Sequence, residues 1–407
     1  MVDQLAQTGH EVHVLCAAEL GLSPEVVVGG VKVHRVRDWL INASTRVAPG
    51  AASPSSARSV GLSATWRSSL RKTARTIWRA THWPDYACGW ILPAAKKARE
   101  LCRSNHYDWV VSVSHPFSGH MVGWLTRRHA PGSRWFVDIG DPFCLMEEPS
   151  PNNRRLYAWL NRWMESRVLD RADAISVTTE STRQLYETHF PPTRGKVHLM
   201  PPLLSLPPVS AAVERIERSV AVRLVFVGTL YHRLRSPRYL LACFAALVST
   251  MAERTVELHF YGATNDCADE LASCQEPARS SLFVHGIVSR SEVHTAMREA
   301  DILVNIGNDS ASQLASKVIE YMSMGKPILN ITSSKYDTST AAMADYPAAL
   351  TLVRNDLPSS TDLDALRSFI QAPPSVSPKT VEEVRARYSA AHVAALYRSI
   401  LEQADGP

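Results

Sequence analysis

From Leu224 onward, short apolar runs alternate with helical patterns: LVFVG, VELHFYG, LFVHG, DILVNI, PILNI and LTLV. Runs of this length, rich in Val, Ile and Leu and mostly bounded by Gly or polar turns, predict strands buried on both faces. The stretches between most of them predict helices, so the repetition implies a parallel sheet with both sides covered, an α/β fold. The first half shows the same alternation less cleanly. A helix over Met1 to Thr8 stops at Gly9, and a strand follows from Glu11 to Cys16. Asp108 to Val113 and Trp135 to Val137 predict further strands, one ending at Ser114-His115 and the other at Asp138-Ile-Gly-Asp141-Pro142. A helix around Arg154 to Arg171 leads into another strand and helix in ADAISVTTESTRQLYE, and a proline-rich stretch, Pro201 to Pro208, separates the halves. A last helix is predicted from about Val381 to Gln403. The domains expected are therefore 1–205 and 206–380, followed by the helical segment 381–407.

With 407 residues, 45% of them hydrophobic, the chain is long enough for two cores. The longest apolar run, Tyr239 to Met251, falls short of the roughly 20 residues that span a bilayer, and the amino terminus carries no basic-then-apolar leader pattern. Both features, with seven cysteines in no metal-like spacing, favour the cytoplasm. The net charge of +5 is concentrated in one place. Ten Lys and Arg lie between Arg58 and Arg103 against only Asp85 and Glu100, which leaves the remainder mildly acidic. Within this block, after a loop-like stretch rich in Ala, Ser and Pro, Trp66, Leu70, Ile77 and Trp78 fall on one helical stripe and Arg67, Arg71, Lys72, Arg75 and Arg79 on the rest. A basic amphipathic segment of this kind fits an anionic membrane surface. No nucleic-acid-binding motif accompanies it.

The segment from Asp301 to Ile331 carries the most chemistry. It predicts a strand, a polar turn with Gly307, Asn308 and Asp309, a helix ended by Gly325, and a second strand after Lys326-Pro327. On that helix Lys317, Glu320 and Tyr321 are spaced to share a face near the amino end, where backbone N–H groups favour an anion. A cation suited to phosphate and a carboxylate suited to hydroxyl groups are thus brought together.

SKVIEYMSMGKPI resembles the donor-nucleotide segment of retaining glycosyltransferases with the GT-B fold, particularly the glycosyltransferase 4 family. The resemblance implies two Rossmann-like domains with parallel sheets facing a central cleft, and a last helix that crosses back to the first domain. It also implies that Glu320 holds the ribose of a nucleotide sugar. In FVGTLYHRLRSPRYLL, Gly228 ends a strand; the family's basic residue seven positions later maps to Arg235, with Arg233 in reserve, and Thr229 stands where arginine is frequent. Gly286 resembles the turn that meets the base, and Lys317 would contact the donor phosphate or sugar. Many members carry a second glutamate eight positions before the first, which here is Ser312. Asn308, Asp309, Gln313 or backbone N–H groups from Ala311 to Ser316 would then orient the sugar instead. LAQTGHEVHVL resembles the family's first helix and second strand, so the usual first strand and its glycine-rich turn are absent from this sequence. The absence should leave unpaired sheet edges and exposed apolar surface.

For the acceptor, Ser114, His115 and His120 lie near one strand end, while Asp138 and Asp141 close the next; a histidine would steady a hydroxyl and a carboxylate would take its proton. His115 and Asp141 are the expected catalytic pair on this side, with Arg235 and Lys317 on the donor side. The expected activity is retaining transfer of a sugar from a nucleotide sugar to a lipid-linked or saccharide acceptor in polysaccharide assembly, with no metal and no cofactor, in the cytoplasm and peripherally at the inner membrane face. The segment Arg67, Arg71, Lys72, Arg75 and Trp78 would then serve the membrane and acceptor side. Two alternatives are a non-catalytic or truncated nucleotide-sugar-binding remnant and a GT-B nucleotide-sugar epimerase.

Overall fold

The computed structural model describes residues 1–39, 81–146, 150–203, 221–251, 255–308, 312–314 and 316–403. The basic segment with Arg67, Arg71, Lys72, Arg75 and Trp78 lies outside them, as do Asp309 and Ala311. The chain forms two compact units, one of 1–200 with 394–407 and one of 201–393.

The first unit runs α1 (Val2–Gln7), β1 (His13–Ala17), β2 (Glu25–Val28), β3 (Val31–Val36), α2 (Ile91–Ser104), β4 (Trp109–Ser114), α3 (Ser118–Arg127), β5 (Arg134–Ile139), α4 (Arg154–Arg171), β6 (Ala174–Val177), α5 (Glu180–His189) and β7 (Val197–Leu199). Its strands make two sheets. One has the order β1-β3-β2, with β2 antiparallel to β3; the other is the parallel series β4-β5-β6-β7. Thus β1 ends one sheet and β4 the other, and on β4 Val111 and Val113 are exposed. Helix α2 ties the sheets together, since Ile91, Ala94 and Ala95 pack with Val122 of α3 and Leu15 of β1. The larger core gathers Trp135, Val137 and Ile139 of β5 with Met164, Val168 and Leu169 of α4 and Tyr186 of α5.

The second unit runs β8 (Ala221–Val227), α6 (Arg238–Thr250), β9 (Thr255–Tyr261), α7 (Ala268–Ala272), β10 (Leu282–Gly286), α8 (Arg290–Glu299), β11 (Ile302–Ile306), α9 (Lys317–Ser323), β12 (Ile328–Thr332), α10 (Thr338–Ala342), β13 (Ala349–Val353), α11 (Ser360–Gln371) and α12 (Pro378–Arg387). All six strands are parallel, in the order β10-β9-β8-β11-β12-β13. One face packs Leu224, Phe226, Leu258 and Phe260 against α6 and α11, and the other packs Val225, Val227 and Leu303 against α8, α9 and α12. Burial on both faces is why β8, β11 and β12 read as nearly continuous apolar runs, whereas β10, expected to be buried likewise, is an edge strand that leaves Phe283 and Val284 exposed. The chain begins mid-sheet at β8, winds outward to β10, then returns to lay β11 on the other side of β8. The connections after β8 and β11 therefore diverge, and such a switch point opens a crevice at the carboxyl ends of the strands.

The single last helix expected from Val381 is two helices, α12 and α13 (Ala390–Gln403). Tyr388, buried against the second unit's core, ends the first, and the Ser389 hydroxyl accepts from the His392 N–H at 3.1 Å to start the next. From Ala394 the chain belongs to the first unit, where the Trp109 indole N–H donates to the Leu401 carbonyl at 3.1 Å and Tyr397 packs on Phe136.

Candidate functional site

The switch point of the second sheet is built from glycine. Gly262, just past β9, has φ of +130°, and a Cβ there would sit 2.0 Å from the Gly228 carbonyl oxygen. Only two glycines let these strand ends meet backbone to backbone. The Gly228 N–H donates to the Tyr261 carbonyl at 2.9 Å and the Gly262 N–H to that of Gly286 at 2.7 Å, so the ends of β8, β9 and β10 form one shelf.

Arg235 lies against this shelf. Its Nη1 is 3.3 Å from where a Cβ on Gly228 would be, and its Nε and Nη2 donate to Asn308 Oδ1 at 3.2 and 2.7 Å. The bond from the β8 loop to the β11 loop spans the switch point. Burial lowers the Arg235 pKa, while Tyr321, Tyr231 and Asp337 favour its charge; a guanidinium in these surroundings stays protonated. Two of its five N–H donors are used on Asn308, leaving cationic donors for an anion. Its loop is held from below by Glu270, which lies 2.5 Å from His232 Nδ1 and accepts from the Ser236 hydroxyl at 2.9 Å. Thr229 is half-buried on the same loop, and Arg233 is exposed.

Helix α9 brings the second group of polar residues. Lys317 Nζ and Glu320 Oε2 are 2.5 Å apart, and the glutamate is the more buried of the two. Tyr321 does not share their polar face: it is fully buried, and its hydroxyl accepts from the Val227 N–H at 3.0 Å and donates to the Val227 carbonyl at 3.3 Å. Its role is to clamp α9 to the last residue of β8, one position before Gly228, which fixes Glu320 relative to the shelf. Ser316, at the helix start, is exposed and makes no capping bond through its side chain. Ser312 and Gln313 are buried, and the Gln313 carbonyl accepts from the Thr338 hydroxyl at 2.7 Å and from Asn308 Nδ2 at 3.4 Å. Beside them the buried Asp337 caps α10, accepting from the Ser339 N–H at 2.8 Å, with its carboxylate packed on Gly307. Sequence reasoning missed both Asp337 and Glu270.

In the first unit the acceptor-side residues separate into two kinds. His115 is exposed, its ring 6.2 Å from that of Tyr86, and Asp141 is half-buried just past β5. Ser114 is buried and its carbonyl accepts from the Gly140 N–H at 3.2 Å, linking the two strand ends. His120, by contrast, is fully buried, and Asp138 is half-buried with its carboxylate engaged. His120 Nδ1 is 2.8 Å from the Ser112 hydroxyl, which also accepts from the Trp135 indole N–H at 2.9 Å. Asp138 accepts from the Ser176 hydroxyl at 2.7 Å and from the Tyr397 hydroxyl, stapling α13 to β5. Burial pushes Asp138 above the usual aspartate value. Glu165, which sequence reasoning also missed, accepts from the Tyr186 hydroxyl at 2.6 Å and the Cys144 N–H at 2.8 Å and so shapes the turn after Asp141. A signal was available: Glu165 lies one turn from Asn161 on the buried stripe with Val168 and Leu169.

Burial also holds His120 from its ordinary 6.5 down to about 3. The unfolded chain then takes up a proton that the folded chain refuses between those values, so stability falls as pH drops below about 6.5, by roughly 2 kcal/mol at pH 5. Urea unfolding at pH 7 and pH 5 checks the loss. The His120 ring resonances should not titrate between pH 8 and pH 5.

Residues 1–202 match the model of a glycosyl transferase 4-like domain, and residues 221–344 that of glycosyl transferases group 1. No curated protein matches the sequence. Among solved structures, apo OtsA aligns over 98% of this chain and 94% of its own, with a TM-score of 0.57 at 12% identity. The lipopolysaccharide outer core galactosyltransferase WaaB in its apo form aligns over 76% of this chain and 79% of its own, with a TM-score of 0.51 at 12% identity. Anabaena HepE in complex with UDP-glucose aligns over 78% and 83%, with a TM-score of 0.50 at 14% identity. Against a longer structure, TarM, the chain spans 58% of that protein's length. Likenesses at such identities establish the fold, and the two family models establish the family. This chain belongs to the GT-B glycosyltransferases of the glycosyltransferase 4 type.

Proposed function

We propose that the protein is a retaining glycosyltransferase that moves a sugar from a nucleotide-sugar donor to a lipid-linked or saccharide acceptor in glycoconjugate assembly. The observation that carries this reading is the convergence of Arg235, held by Asn308, with the Lys317–Glu320 pair at the switch point of the second sheet. Glu320 accepts from the ribose hydroxyls, Arg235 and Lys317 take the diphosphate, and Gly286 lets the main chain approach the base. As the bond to the anomeric carbon breaks, the two cations stabilise the departing diphosphate without a metal. The acceptor hydroxyl attacks from the same face, with His115 steadying it and Asp141 receiving its proton. HepE was solved with UDP-glucose and WaaB is named for galactosyl transfer to lipopolysaccharide, which supports a nucleotide sugar and a lipid-borne saccharide as the classes to test first.

The test follows the first-formed sugar by proton NMR during slow hydrolysis or transfer from an α-linked nucleotide sugar, in chelator. Appearance of the α anomer before mutarotation supports retention without metal. A β anomer contradicts retention, and activity lost with chelator and restored by a divalent cation contradicts metal independence.

A further inference from the structure

The apolar side of α4 is accounted for by the core, yet its opposite face is not polar in the ordinary way. Asn161, Met164, Glu165, Val168 and Leu169 are buried. Around the other side lie Leu156 at 52% exposure, Trp159 at 70% and Trp163 at 47%. Trp159 and Trp163 are one turn apart and Leu156 lies one turn before Trp159, so the three make one exposed apolar strip. Arg155, Arg162 and Arg167 are exposed beside it, and the Arg167 guanidinium lies 5.7 Å from the Trp163 ring centroid. Of the helix's two acidic residues Glu165 is buried, and the exposed Asp170 continues the strip one turn beyond Arg167, so the face keeps an excess of positive charge, with Arg162 turned toward the His189 carbonyl at 3.2 Å.

We propose that this face of α4 docks on an anionic lipid surface. Tryptophan, with an apolar ring and one N–H, belongs at the level of lipid headgroups, where arginines reach anionic phosphates while their stems cover apolar surface. An excess of positive charge around two exposed indoles complements such a surface. A second copy is a poorer occupant, since a two-fold contact would set these arginines against one another. The flank of α4 also anchors the chain just beyond its basic stretch, as the Tyr157 hydroxyl donates to the Thr81 carbonyl at 2.8 Å and the Trp83 indole N–H to Asn161 at 2.9 Å. The proposal rests on this helix and not on the donor site. It would bring the first unit to a lipid-borne acceptor.

The experiment is co-sedimentation of the full chain with vesicles of phosphatidylcholine containing a quarter phosphatidylglycerol, and with phosphatidylcholine alone. Binding only to the anionic vesicles is expected. Trp159→Ser with Trp163→Ser should weaken it at least about tenfold, and Arg155→Ser with Arg167→Ser about thirtyfold, at roughly fivefold per cation. The Tm of both variants and their thermal shift with a nucleotide sugar should be unchanged, so failure of the donor site would register separately. Absence of vesicle binding overturns the proposal. So does binding that survives both α4 variants but is lost on changing Arg71, Lys72 and Arg75 to alanine, or a dimer in light scattering that the tryptophan variant dissociates.

Discussion

Replacing Glu320 with alanine should weaken nucleotide-sugar binding by about a hundredfold or more. The carboxylate is largely buried and sits on a helix clamped to β8 by Tyr321, so it is held in place before any ligand arrives. A charged acceptor is worth about 1.5–3 kcal/mol for each hydroxyl it takes, and in the proposed site one carboxylate would take two ribose hydroxyls. The alanine variant also leaves Lys317 without the partner now 2.5 Å away. Glu320→Gln keeps an acceptor without the charge and should fall between the two. Calorimetry measures the Kd of each variant. Equal affinity in all three would mean that the ribose lies elsewhere.

Arg235→Met is expected to act on turnover more than on binding. The leaving diphosphate gains charge as the glycosidic bond breaks, so a fixed cation beside it stabilises the transition state more than the bound donor. Removing one such donor typically lowers kcat by about 10²–10³, or ~3–4 kcal/mol. Asn308→Ala keeps the cation but releases its orientation, and a smaller loss of about tenfold should follow. Arg233→Met, at an exposed position two residues away, is the control and should change kcat by less than about twofold. Steady-state kinetics decide among them: a large effect at Arg233 with little at Arg235 would transfer the phosphate contact to the outer loop.

The central strands of the second sheet were legible because a parallel sheet covered on both faces requires continuous apolar runs, while the edge strand β10 carries an apolar run although Phe283 and Val284 are exposed. The same burial explains what was misread. Asp138 alternates with the buried Val137 and Ile139 along β5 and by period alone would face outward, but Tyr397 of α13 covers that side, so it becomes a half-buried staple for Tyr397. Helical spacing put Tyr321 beside Lys317 and Glu320, yet α9 also buries Val318, Ile319 and Met322, and spacing does not say which sides of so short a helix are covered. The β2–β3 pairing was missed because Glu25 to Val28 alternates weakly and is largely exposed. In the helix expected from Val381 the one local signal for a break is Ser389, which caps the second helix, and the burial of Tyr388 against one unit and of Tyr397 within the other goes with that break. Within the site, Arg235, Lys317 and Glu320 were readable from sequence, whereas Glu270 and Asp337 act through contacts between distant loops that no spacing encodes.

The central claim is that the carboxyl ends of β8 and β11, with the first turn of α9, bind a nucleotide sugar. A thermal-shift panel of UDP-, GDP-, ADP- and dTDP-sugars against the wild-type chain and Glu320→Ala tests it most directly. The account predicts that sugars of one base raise the wild-type Tm and leave that of Glu320→Ala unchanged. A shift of equal size in both proteins, or none with any nucleotide sugar at millimolar concentration, would contradict it.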